Sequence, residues 1–220
     1  MITLFGAPGS GKSLQGELLA RRYGWTWYSS RDMLSSMHNK DIMYKLDHGM
    51  FVDDDTMNSL MSDVMRRAHV RGTNRVVLDG FPSSYRQVRW MIDNKEISNL
   101  TGAIILRVPH GELWKRLMER KRVDDTRAAI ERREDLYDRS ITGMIRALSM
   151  EDVLVREVNG MGTPEDVLER ISEILGEWNL VPRKQYKDIS KNIKINYTSQ
   201  VWSFKKPTSF LLLVGFCLIC

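Results

Sequence analysis

Cysteine is nearly missing from this 220-residue chain: only Cys217 and Cys220 occur, both at the far end. Everything before them lacks disulfides and thiolate metal ligands, which suits a reducing compartment. Histidine is as scarce, and His38, His48, His69 and His110 show no metal-ligand spacing. Long apolar runs are absent too. The longest, Phe210 to Cys220, is eleven residues, against the about 20 that a membrane-crossing helix needs. The chain starts directly on a strand, so no signal peptide is expected and the folded part is read as cytoplasmic. No repeat or low-complexity segment is present. The net charge of +5 suggests a basic protein, yet residues 181–220 hold seven Lys or Arg against one Asp, which accounts for all of it. Without a basic stripe in the remainder, nucleic acid is not an expected partner.

What the sequence does contain is Gly6-Ala7-Pro8-Gly9-Ser10-Gly11-Lys12-Ser13, which satisfies the phosphate-binding pattern G-x-x-x-x-G-K-[ST] at every fixed position. The apolar stretch Ile2 to Phe5 precedes it, and Leu14 to Tyr23 follows with helical spacing, which is the context the pattern requires. Glycines let successive N–H groups point inward, and the helix behind presents its positive end. Lys12 would reach the outer phosphates, and Ser13 has a hydroxyl suited to Mg²⁺.

Beyond this loop, strands are expected at residues 25–28, read as a second buried strand, and at 75–79, 103–108 and 153–158. Helices are expected from Arg31 or Asp32, then over 40–48, 53–68, 84–92, 112–121, 124–147 and 164–178, the last behind a Thr163 cap. Asp53-Asp54-Asp55 reads as a helix start and not as a metal site. Regular alternation implies an α/β fold with a parallel sheet, helices on both faces and ligands at the carboxyl ends of the strands. Asp79 closes an apolar strand, where a carboxylate can orient Mg²⁺ directly or through water. Arg116, Arg120, Arg122, Arg132 and Arg133 cluster on two helices and their short link. They suit the charge of a transferring phosphoryl, but a solvated face salted by Glu119, Glu131 and Glu134 would look the same.

These landmarks resemble the adenylate kinase family of nucleoside monophosphate kinases over roughly residues 1–178. They are Gly6 to Gln15; Ser29-Ser30-Arg31-Asp32-Met33-Leu34; Leu78-Asp79-Gly80-Phe81-Pro82 with Gln87; and Arg122-Val123-Asp124-Asp125 followed by Arg133. The resemblance implies a three-layer P-loop kinase fold with a small helical acceptor-binding insert, about 29–69, and a minimal lid, about 120–124. It implies ATP and Mg²⁺, with AMP as the favoured acceptor. On the ATP side it brings in Gly6, Pro8, Gly9, Ser10, Gly11, Lys12, Ser13 and Leu14, with Arg116 on the base and Asn159 and Gly160 beside it. Arg120, Arg122 and Arg133 would surround the transferred group, positioned by Asp124 and Asp125, while Asp32 and Asp79 would hold Mg²⁺ through its waters. Ser30, Arg31, Gly49, Val52, Gly80 and Gln87 would face the acceptor. Another monophosphate as acceptor, or an ATP-binding regulator with weak turnover, stays open.

The departures concern the acceptor phosphate. Ser35 and Ser83 stand where the family places gripping arginines, and Arg31, Arg86 and Arg89 are the cations near enough in sequence to substitute. With only Lys121 between Arg120 and Arg122, the lid is shorter than the short-lid type. Residues 179–220 have no counterpart in the resemblance. They are expected to be a disordered tail capable of weak peripheral membrane contact but no stable insertion, and Cys217-Leu218-Ile219-Cys220 has a C-a-a-X outline. A monomer is expected.

Overall fold

Residues 1–70, 75–120, 122 and 124–182 are described by a computed structural model, the side chain of His69 excepted. Short apolar segments form strands β1 (Ile2–Phe5), β2 (Thr26–Ser29), β3 (Val76–Asp79), β4 (Gly102–Arg107) and β5 (Leu154–Asn159). They pair in the order β2-β3-β1-β4-β5, every pair parallel. Between them run α1 (Lys12–Tyr23), α2 (Ser30–Ser36), α3 (Lys40–Asp47), α4 (Asp54–Val70), α5 (Tyr85–Asp93), α6 (His110–Arg120), α7 (Arg127–Ser149) and α8 (Pro164–Glu177). This is the expected α/β architecture with a parallel central sheet.

The period-two alternation of each central strand sorts its side chains onto two cores. Ile2, Leu4, Val77, Ile104 and Leu106 face α1 and α8, where Leu19, Leu168, Ile171 and Leu175 meet them. Phe5, Val76, Leu78, Ala103 and Ile105 face the opposite side, packed against Met61 and Met65 of α4, Val88 and Met91 of α5, and Met144 and Leu148 of α7. Burying each such side chain stabilises the fold by about 1.5–3 kcal/mol, so the three inner strands anchor the sheet.

Local chemistry sets the helix ends. Ser29 accepts from the Asp32 N–H, Ser84 from Gln87, and Thr163 with Asp166 forms a reciprocal capping box behind Pro164. Asp53 accepts from the Thr56 N–H at 2.9 Å, so the acidic triplet opens α4.

Several expectations need correction. The segment expected as a second buried strand lies at the sheet edge, with Thr26, Trp27 and Tyr28 half-buried, because aromatic content alone does not tell an edge from a centre. The long charged helix starts at Arg127, capped by Thr126, because Asp124 and Asp125 are drawn into ion pairs ahead of it. A 3-10 turn at Glu96–Asn99 was not foreseen. Packing also continues past Trp178. Leu180 N–H donates to Leu175 O at 2.9 Å, and Val181 is buried in the α1–α8 core. Among the described residues no helix is long and apolar enough to cross a membrane. The rest of the tail, residues 183–220, and with it the membrane-contact and C-a-a-X expectations, lies outside the described residues, as do Lys121 and Val123 of the expected lid.

Candidate functional site

Parallel pairing brings the carboxyl ends of β1 and β3 side by side, with Leu4 opposite Asp79. The loop leaving β1 turns on Gly9 and Gly11, whose φ angles of 85° and 96° suit glycine and few other residues, and Gly11 caps α1. Lys12 Nζ folds back over this loop, donating to Gly6 O at 2.6 Å and Ala7 O at 3.2 Å. Ser13 Oγ donates to Asp79 Oδ2 at 2.6 Å. Burial pushes the Lys12 ammonium down, and Arg120 and Arg133 push it the same way against the pull of Asp79. Burial likewise raises the Asp79 carboxyl, with Asp32 adding to the rise and Lys12, Ser13 and Arg122 opposing it. The Ser10 hydroxyl is buried with no protein partner. A buried cation, an orphaned hydroxyl and inward-turning backbone together make a receptor for anionic oxygen.

Above this floor lies the link between α6 and α7. Arg120 forks onto Asp125 through Nε at 2.8 Å and Nη2 at 2.7 Å. Arg133 reaches the same carboxylate at 2.9 Å, the Asp124 carbonyl at 2.9 Å and Asp124 Oδ2 at 3.3 Å. Arg31 of α2 pairs with that Oδ2 at 3.0 Å. Partial desolvation, then crowding by Arg120 and Arg31, lowers the Arg122 guanidinium against the pull of Asp124 and Asp125. Arg116 is held by Glu112 at 2.9 Å and donates to Gly160 O at 3.1 Å, beside the end of β5.

One cleft of about 680 Å³ unites these groups. Of the residues singled out in the sequence, it is lined by Pro8, Gly9, Ser10, Gly11, Lys12, Ser13, Leu14, Ser30, Arg31, Gly49, Val52, Asp79, Gly80, Ser83, Arg116, Arg120, Arg122, Arg133 and Gly160. Gly6, Asp32, Ser35, Gln87, Asp124, Asp125 and Asn159 do not line it. Asp124 and Asp125 stand behind the arginines, and Asn159 precedes Gly160 on the β5 edge with its side chain capping the Met161 N–H. Gln87 is committed elsewhere: its Oε1 accepts from Ser83 N–H at 2.7 Å and Ser83 Oγ at 3.1 Å, and its Nε2 donates to Asp54 at 2.9 Å. Arg86 and Arg89 are exposed, and Arg89 pairs with Asp93 along its own helix at 3.2 Å. Arg132 turns away from the cleft to donate to His48 O at 2.5 Å.

Sequence reasoning missed several lining residues. Leu46, Met50, Phe51 and Met57 add apolar lining to that of Leu34, and Leu136 does so one turn after Arg133 on α7. The Leu136 spacing was readable as a helix face; the others are scattered over three elements and meet only in the fold. Gln15, almost fully buried, ties the loop to α8 by donating to Pro164 O at 2.9 Å.

Comparison with known proteins identifies the family. A family model described as "Adenylate kinase" matches residues 4–153. Among curated proteins, the chain is 34% identical to an adenylate kinase of Micrococcus luteus over 184 residues, covering 77% of this chain and 87% of the relative. It is 30% identical to one of Parabacteroides distasonis, covering 78% and 95%, and 27% identical to one of Thermus thermophilus, covering 80% and 96%.

Proposed function

The chain belongs to the adenylate kinase family and is an enzyme of the nucleoside monophosphate kinase class, and from that premise we propose that it transfers the γ-phosphoryl of ATP to AMP, giving two ADP. The observation that carries this reading is the single cleft in which Lys12 and the Ser13–Asp79 pair form the floor and Arg116, Arg120, Arg122 and Arg133 the cover.

In this reading the 6–14 loop and Lys12 bind the ATP phosphates, and Arg116 and Gly160 meet the base. Residues 29–69 present the acceptor, and Arg120 and Arg122 stand over the reacting groups. An acceptor phosphate oxygen attacks the γ-phosphorus; the new O–P bond forms as the bond to the β,γ-bridging oxygen breaks, and ADP departs with that electron pair. No general base is needed, because the attacking phosphate is already anionic. Arg120, Arg122 and Arg133 neutralise the charge gathering on the equatorial oxygens, and Asp124 and Asp125 hold two of those arginines ready before substrate arrives. For Mg²⁺ the donor set fits. Ser13 Oγ and the Asp79 carboxylate are hard oxygens, with Asp32 close enough for its charge to be felt. Among the described residues no group of three or more His, Cys, Asp or Glu could hold a metal alone, so the nucleotide and water would supply the other ligands. When bound, the ion supplies charge neutralisation at the phosphates. The enzyme is read as a cytoplasmic monomer acting in nucleotide metabolism.

Gln87 favours one alternative acceptor: with its amide tied to Ser83 and Asp54, it is poorly placed to select adenine, and another monophosphate could serve. The test is ADP formation from ATP and Mg²⁺ with AMP, CMP, UMP, GMP and dTMP in turn, beside ATP binding. AMP is expected to be the fastest acceptor. Binding of ATP without diphosphate formation from any acceptor would overturn the reading in favour of an ATP-binding regulator.

A further inference from the structure

The acceptor phosphate carries about two negative charges and needs guanidinium forks to align it, yet the acceptor side of this cleft has few cations. Of the described lining residues that come from 29–69, Arg31 is the one cation. Ser35 does not reach the cleft, and the Ser83 hydroxyl is engaged with Gln87. Arg86 and Arg89 lie on the exposed face of α5, whose buried face carries Gln87, Val88 and Met91. Arg31 lies close enough to Arg122 for their repulsion to register. Its anionic partner is Asp124 Oδ2 at 3.0 Å, an oxygen that it shares with Arg133.

We propose that Arg31 is the acceptor-phosphate clamp of this enzyme, and that Asp124 is the carboxylate the acceptor phosphate displaces from it. The inference rests on the kinase reading above and says how its acceptor is held. A phosphate dianion offers a guanidinium more charge and more acceptor oxygens than a carboxylate does, so the exchange runs toward the phosphate. Asp124, whose side chain is 6% exposed, is then left to Arg133 alone. Arg133 faces the transferring phosphoryl, so filling the acceptor site tightens a residue on the donor side. Coupling of this kind is reciprocal, and ATP should improve acceptor binding by the same factor.

The experiment compares steady-state kinetics, with AMP varied at saturating ATP, for the full-length protein and for Arg31→Ala, Arg31→Lys, Arg86→Ala, Arg89→Ala and Asp124→Asn. ATP affinity and melting temperature are measured on each. Loss of a charge-assisted contact predicts a rise in KM for AMP of at least about tenfold in Arg31→Ala, with ATP affinity within about twofold. Arg31→Lys should recover part of it, since a point charge remains without the fork. Arg86→Ala and Arg89→Ala should match the wild type. Asp124→Asn should lower KM for AMP while reducing kcat, because competition for Arg31 is removed and Arg133 loses a partner. An unchanged KM in Arg31→Ala, or a raised one in Arg86→Ala or Arg89→Ala, would overturn the clamp. A raised KM in Asp124→Asn would overturn the displacement. Should the wild type turn over no monophosphate, the kinase reading fails separately, and equilibrium binding of AMP to wild type and Arg31→Ala still decides whether Arg31 holds a phosphate.

Discussion

Asp79 and Lys12 show what holding charge ready inside a protein costs. Each is pushed toward its neutral form, chiefly by burial. Because the Asp79 carboxyl is raised on folding, the folded state binds its proton more readily than the unfolded chain. The contribution of this group to stability therefore falls as pH rises from the ordinary carboxylate range through the raised value. Asp79→Asn still accepts from Ser13 but carries no charge, so the variant should gain stability relative to wild type as pH rises above the ordinary carboxylate range of about 4, while losing activity. Thermal melts at increasing pH check it; parallel curves would mean that the charge is fully compensated in the fold. Around the reacting phosphoryl the terms are kinetic. Arg122→Ala and Arg133→Ala should each lower kcat by about 10²-fold or more, whereas exposed Arg127→Ala, which removes only a pair with Glu131, should stay within about twofold. Normal turnover in both cleft variants would make these arginines a solvated face. Gln87→Leu should destabilise the protein by about 1–3 kcal/mol, because Ser83 and Asp54 lose buried partners. It should also weaken all acceptors alike; a selective loss of AMP would show that the amide reads the base after all.

At the scale of elements, the junction of α3 with α7 decides how the acceptor side meets the cover. Gly49 ends α3 at φ 63°, and a Cβ there would fall 2.5 Å from Ala129 O of α7. Gly49→Ala therefore combines backbone strain with overlap against a rigid helix. It should cost about 1–3 kcal/mol in urea unfolding and raise KM for AMP as α3 is pushed off α7. A stability equal to wild type would show that the junction opens freely. Helix phase does the remaining sorting. A single step along α7 separates Arg133 in the cleft from Arg132 on His48, and α5 turns Arg86 and Arg89 outward while Gln87 turns in.

For the whole molecule, the packed chain extends beyond the motifs. Val181 is 5% exposed in the α1–α8 core, and burial of a valine is worth about 1.5–3 kcal/mol. A protein cut after Pro182 should keep its melting temperature and its kinase activity, whereas one cut after Trp178 should melt several degrees lower. Equal melting of the two would mean that Val181 contributes nothing net.

The sequence by itself determined the phosphate loop, the strand that ends in Asp79, the alternation that makes a parallel sheet and the order of the landmarks. These depend on local geometry, on residues within a turn or two of each other, and on a hydrophobic period that survives in one dimension. Only the tertiary structure decided which strand is the edge, which arginines point inward and what each one touches. Arg31 and Asp124 are far apart in the chain, and nothing in either neighbourhood announces the other. Their pairing forms across the cleft, between α2 and the link that joins α6 to α7. The Gln87–Asp54 bond is of the same kind, since a side chain's hydrogen-bond capacity is spent on whatever the fold brings within 3 Å, and that is a property of packing that no spacing records.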